Sequence, residues 1–143
     1  MKHLRHILII EDNTDDQTLL LRQLKSVQVA RPIKVIHDGG KALEYLMDER
    51  FKCEDLAAIF LDLNLPTIDG LRLLETIRSE SRFQKVPVIV MTSSNSPEDL
   101  EQCRRLGASY YVSKPVTLAK FAQAFSDTFQ DRRAPAKTSC LSR

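Results

Sequence analysis

Ile59-Phe60-Leu61-Asp62-Leu63-Asn64-Leu65-Pro66 begins as an apolar strand and stops on a single carboxylate, with the turn formers Asn64 and Pro66 close behind. A run without polar interruption suits a strand covered on both faces, as in a parallel sheet. Packing gives no reason for such a strand to finish in an acid, so Asp62 is the first candidate functional group. Outward from it, similar aliphatic stretches recur at Ile7 to Ile10, Ile33 to Ile36, Val86 to Met91 and Tyr110 to Val112, the central one covering Ala58 to Leu61. Three of the others also end in polar or charged groups: Glu11-Asp12, Thr92-Ser93 and Lys114.

Helical periodicity fills the intervals. Asp15 to Val27 places Leu20, Leu24 and Val27 on one face; Lys41 to Asp48 places Ala42, Leu43, Leu46 and Met47; Gly70 to Ser79 places Leu71, Leu74 and Ile77. A fourth helix is punctuated at both ends: Ser96 caps, Pro97 suits the first helical position, Glu98 and Asp99 favour the positive end, and Gly107 terminates. A last helix, Thr117 to Phe129, carries Leu118, Phe121, Ala122, Phe125 and Phe129 as a core-facing stripe, with Phe129 also suited to a subunit contact.

Five strands alternating with five helices predict an open, doubly wound α/β sheet, because parallel neighbours need crossover helices and right-handed crossovers place them on both faces. Ligands bind such sheets at the carboxyl ends of the strands, where Asp12, Asp62, Thr92 and Lys114 all fall. The 143 residues, 43% of them hydrophobic, suit one domain. The formal charge is +2, but the stretch from Gln130 onward holds Arg132, Arg133, Lys137 and Arg143 against Asp131, so the remainder is slightly acidic. That argues against a nucleic-acid-binding face. Residues 131–143 lack apolar periodicity and are expected to form a disordered tail after a domain of residues 1–130.

Cys53, Cys103 and Cys140 are scattered, without zinc or disulfide spacing, and the N-terminal apolar run is too short for a signal peptide. No stretch approaches the ~20 apolar residues of a membrane span. The expectation is a cytoplasmic protein. His3, His6 and His37 lack paired metal-ligand spacing and are expected to be structural or solvated. Asp69-Gly70 reads as a turn and helix start.

Taken in order, Ile9-Ile10-Glu11-Asp12-Asn13, Leu61-Asp62-Leu63-Asn64-Leu65-Pro66, Asp69-Gly70, Met91-Thr92-Ser93 and Tyr111-Val112-Ser113-Lys114-Pro115 resemble the receiver domain of two-component response regulators, from about Leu4 to Phe129. The resemblance implies a flavodoxin-like sheet of order 2-1-3-4-5. It implies that Asp62 accepts a phosphoryl group from a sensor histidine kinase as an acyl phosphate. Glu11, Asp12 and Asp62 would repel an anionic donor without a counter-charge, and Mg²⁺ accepts such hard oxygen ligands. By resemblance, Asp12, Asp62 and the Asn64 carbonyl contact the metal, with Glu11 one water further out. Lys114 supplies a fixed positive charge to the phosphoryl oxygens. The bond to Pro115 is usually cis in this family.

The same resemblance implies a switch in which the Thr92 hydroxyl follows the phosphoryl group and Tyr111 turns inward, making helix four, strand five and helix five the output face. Partners implied are a sensor histidine kinase, a histidine phosphotransfer protein and a second copy of the chain through that face. Glu11 stands where many receivers have Asp. The longer segment from Asp48 to Ala57, with the acid-rich start and Leu63-Asn64-Leu65-Pro66, is similar to single-domain regulators paired with bacterial phytochrome kinases. The enzyme alternative is a Mg²⁺-dependent aspartyl-phosphate hydrolase of haloacid dehalogenase type, but Asn64 stands where that family needs its second Asp. A nucleotide-binding module is disfavoured because only Gly39-Gly40 is clustered and no Gly-Lys-Ser/Thr follows.

Overall fold

In the computed structural model, described for residues 5–26, 31–66, 68–93, 96–114, 116, 117, 119, 120, 122–124 and 126, strands and helices alternate. The strands are β1 (His6–Ile10), β2 (Ile33–Ile36), β3 (Leu56–Asp62), β4 (Val88–Thr92) and β5 (Tyr110–Ser113). Between them lie α1 (Thr14–Ser26), α2 (Gly39–Met47), α3 (Gly70–Ser79) and α4 (Pro97–Arg105). Residues 119, 120, 122–124 and 126 are helical and form α5. The strands pair in parallel in the order β2-β1-β3-β4-β5.

Side chains alternate across a strand, so the sheet divides the core in two. Leu8, Ile10, Ile59, Leu61, Val88 and Val90 pack with Ala42 and Leu46 of α2, Leu73, Leu74 and Ile77 of α3, and Cys103 of α4. Ile7, Ile9, Phe60, Ile89, Met91 and Val112 pack with Leu20 and Leu24 of α1 and Ala124 of α5. All seven residues of β3 are buried, as befits the central strand. Ala57 and Ala58 break the alternation by lying on the same side. The pairing of β1 with β3 shifts register between His6 and Ile7 at that level.

Several boundaries differ from the sequence expectation. The segment Val86-Pro87 stays outside β4, since Pro87 has no N–H to give a ladder; its carbonyl accepts from Ile59 N at 2.9 Å. Helix α2 begins at Gly39 because the Asp38 carboxylate accepts from Gly40 N and Lys41 N. The segment after α2 is held by Arg82, whose Nη2 donates to Leu46 O at 2.8 Å, and by Phe51, whose ring lies 5.8 Å from that of Phe83. Helix α4 starts as expected, with Ser96 Oγ accepting from Asp99 N at 3.2 Å, and Gly107 takes a φ of 105° just past its end. Val27, Leu118, Phe121, Phe125, Phe129, Pro115, His3, Cys140 and residues 131–143 lie outside the described residues. Of the stripe assigned to the last helix, Ala122 is half-buried, and Ala124, not counted there, is fully buried.

Candidate phosphoryl-acceptor site

The register brings the strand ends level. Ile10 faces Leu61, Asp62 faces Met91, and Thr92 faces Ser113. The ladder continues one step beyond, with Leu63 N donating to Met91 O at 3.1 Å and Lys114 N to Thr92 O at 2.7 Å. Glu11, Asp62, Thr92 and Lys114, far apart in the chain, therefore share one edge of the sheet.

Asp62 is 2% exposed and Glu11 1%. The Lys114 ammonium lies between them, 3.2 Å from Asp62 Oδ2 and 3.2 Å from Glu11 Oε1. It also lies 2.8 Å from Asp16 Oδ2, in the first turn of α1. Burial opposes the charged ammonium, but the hydrogen bond to Asp16 and the carboxylates of Asp62 and Glu11 outweigh it and raise its pKa above the usual lysine value. Burial pushes the Glu11 carboxyl up to about 8; the hydrogen bond to Asp62 and its charge add to this, and Lys114 opposes it. Asn13 N donates to Glu11 Oε2 at 3.1 Å, and Asn13 Oδ1 accepts from Asp16 N at 2.9 Å, which ties the acid turn to the start of α1.

Asp62 is held from the other side by its own loop. Asn64 N donates to Asp62 Oδ1 at 3.0 Å, and Gly70 N to Leu63 O at 3.2 Å. Gly70 has no substitute there: a Cβ would stand 2.4 Å from Leu63 Cα and 2.9 Å from Asp62 O. Asp69 caps α3 by accepting from Leu71 N, the turn role expected of it. A cleft lined by Asp12, Leu63, Asn64, Leu65 and Asp69 opens beside the acids.

Glu11, Asp12 and Asp62 each offer a carboxylate oxygen, all within 4.8 Å of one another. Hard oxygen donors, with Asp12 exposed so that water can complete the shell, fit Mg²⁺. Thr92 is buried at the end of β4, and Tyr111 is half-buried against the α2-to-α4 side of the core. Burial raises the Tyr111 phenol above its ordinary value, with Cys103 and Asp99 adding to it. Two residues at this edge escape sequence reasoning. Asp16 reads as an ordinary first-turn acid, and Gln17, whose Nε2 donates to Glu11 O, reads as a surface polar residue. His37 Nδ1 lies 2.6 Å from Gln17 Nε2 and His6 Nε2 3.2 Å from Tyr45 Oη, which gives both histidines structural contacts.

A parallel 2-1-3-4-5 sheet with an acid cluster and a lysine across its strand ends is the architecture of a receiver module. The family model of the response regulator receiver domain matches residues 7–126, and the chain belongs to that family. Its members take a phosphoryl group from histidine kinases and bind Mg²⁺ at the acidic site. The chain is 32% identical to the probable methanogenesis regulatory protein FilR2 of Methanothrix harundinacea (strain 6Ac) over 112 residues, 78% of this chain and 72% of that one. Its structure is similar to that of the bacteriophytochrome response regulator AtBRR, with a TM-score of 0.75 and 36% identity over 90% of this chain and 94% of that one. It is also similar to the receiver domain of a sensor histidine kinase from Pseudomonas aeruginosa with magnesium in its active-site cleft, at a TM-score of 0.73 and 28% identity over 89% and 98% of the two chains. The hydrolase alternative finds no support in these matches. Among the described residues no helix is long and apolar enough to cross a membrane.

Proposed function

We propose that Asp62 is the phosphoacceptor of a two-component relay. The observation that carries this is Lys114 Nζ at 3.2 Å from Asp62 Oδ2, inside a buried acid cluster at the strand ends. A carboxylate oxygen of Asp62 attacks phosphorus; the O–P bond forms as the P–N bond to the donor imidazole breaks, and the electron pair returns to that nitrogen. The Lys114 ammonium donates to the phosphoryl oxygens as charge gathers on them, and backbone N–H groups after Asp62 add to it. Asp12, Asp62 and the Asn64 carbonyl would hold Mg²⁺, with Glu11 beside them, and the bound ion would supply positive charge against the cluster of acids.

Thr92, next to Asp62 across the strand ends, would report the transfer through its hydroxyl, and Tyr111 would move deeper as Thr92 is drawn inward, altering the α4-β5-α5 face. Likeness to a bacteriophytochrome regulator supports a phytochrome kinase as donor. A histidine phosphotransfer protein and a second copy of the chain at the output face are the further partners we propose. Incubation with acetyl phosphate and Mg²⁺, read by intact mass, should add one phosphoryl group to the wild type and none to Asp62→Asn. Equal uptake by both proteins would refute the assignment.

A further inference from the structure

We propose that Asp16 is a positioning residue that competes with the phosphoryl group for Lys114 and so limits how readily Asp62 is charged; this rests on the function proposed above. An ammonium has three N–H donors. Lys114 donates hydrogen bonds to Asp16 at 2.8 Å and Glu11 at 3.2 Å, and its ammonium also pairs with Asp62 at 3.2 Å. A phosphoryl oxygen arriving at Asp62 therefore competes with these groups for the ammonium. Asp62 is buried, and a buried carboxylate stripped of its cation loses what compensates its desolvation. The Asp16 side chain is 39% exposed, so water replaces the ammonium there at small cost. Asp16 is the partner that gives way.

Its location makes it a competitor rather than part of the acceptor. It sits outside the trio of acids able to hold a cation, and its place is fixed by the start of α1, where its N–H is capped by Asn13. Replacing its charge frees a donor of Lys114 for the incoming anion and removes a like charge that opposes it. Both effects have the same sign. Asp15, exposed in the same helical turn, is not among the acceptors of Lys114 and isolates the direct contact from general electrostatics.

The test is a titration of the full chain with beryllofluoride at saturating Mg²⁺, followed by ¹⁹F NMR, alongside the rate of phosphoryl uptake from acetyl phosphate by intact mass. Asp16→Asn should bind beryllofluoride about 2- to 5-fold more tightly, the range expected from releasing a partly exposed ion pair, and should charge faster. Asp15→Asn should leave both readouts near wild type. A merely structural Asp16 would lower the thermal midpoint and weaken binding together, whereas competition predicts tighter binding even if the midpoint falls. Equal gains in the two variants, no change in Asp16→Asn, or a loss would overturn the proposal while leaving the acceptor reading intact. A wild-type chain that takes up no phosphoryl group would overturn both.

Discussion

Gly70→Ala tests whether the backbone at the start of α3 is what holds the Asp62 loop. The new methyl would meet Leu63 Cα at 2.4 Å, Leu63 O at 2.7 Å and Asp62 O at 2.9 Å. All three are main-chain atoms, so no rotamer change relieves the contact; α3 or the β3 end must shift. Forcing atoms into a packed site costs about 1–3 kcal/mol, and the rigidity of these neighbours puts the cost toward the upper end. Alanine in place of glycine recovers about 0.4–1 kcal/mol through the unfolded chain. The net loss is about 2 kcal/mol, or roughly 8 °C in the melting midpoint of a domain this size.

Gly107→Ala is the matched control. It places a side chain at a φ of 105°, costing about 1–2 kcal/mol, and its closest contact is the flexible Arg78 Cγ at 2.6 Å. Both variants should unfold earlier in urea. At a temperature where both are folded, only Gly70→Ala should take up less phosphoryl from acetyl phosphate, because moving Leu63 carries Asn64 N away from Asp62 Oδ1. A Gly70→Ala protein melting within about 1 °C of wild type, or charging as fast as Gly107→Ala, would refute the reasoning.

Thr92→Ala should still be phosphorylated on Asp62 but should lose the phosphorylation dependence of partner or self-association, measured by gel filtration with and without acetyl phosphate. The raised pKa of Glu11 means the folded chain holds that proton more tightly than the unfolded chain. Its contribution to stability is complete below about 4.5 and is lost as pH rises through about 8. The midpoint of wild type in EDTA should therefore decline across that window relative to Glu11→Gln, as read by circular dichroism. Arg78 donates to Phe83 O at 2.7 Å, Gly107 O at 2.8 Å and Ser109 Oγ at 3.1 Å. Arg78→Ala should cost about 2–3 kcal/mol in urea unfolding, and Arg78→Lys should recover little, since an ammonium lacks the planar fork.

The elements most legible in the sequence are those whose signal is local. Ile59 to Asp62 announces a buried strand that ends in an acid, and Ser96, Pro97 and Gly107 mark α4 because capping chemistry acts within a turn or two. Asp62, Glu11 and Lys114 come together because strand ends in a doubly wound sheet converge. The start of α2 was hidden by two glycines, which argue against helix until Asp38 is seen capping them. Asp16 was hidden for a different reason: its partner Lys114 lies 98 residues away, and no local pattern distinguishes it from Asp15. Arg78 is similar, an apparent surface cation of α3 that reaches carbonyls across two turns.

Because adjacent residues of the strands, Ala57 and Ala58 apart, look into opposite halves of the interior, the sheet acts as a partition between two rooms. Ile9 and Ile10 are chain neighbours, yet one faces Leu20 and Leu24 and the other faces Leu46 and Leu73. Damage from truncating a wall residue in one room should simply add to damage in the other, whereas two truncations within one room should interact. Either chamber can thus be refurnished by mutation while its opposite keeps its fittings, and the strand ends that carry the chemistry stay where the wall holds them.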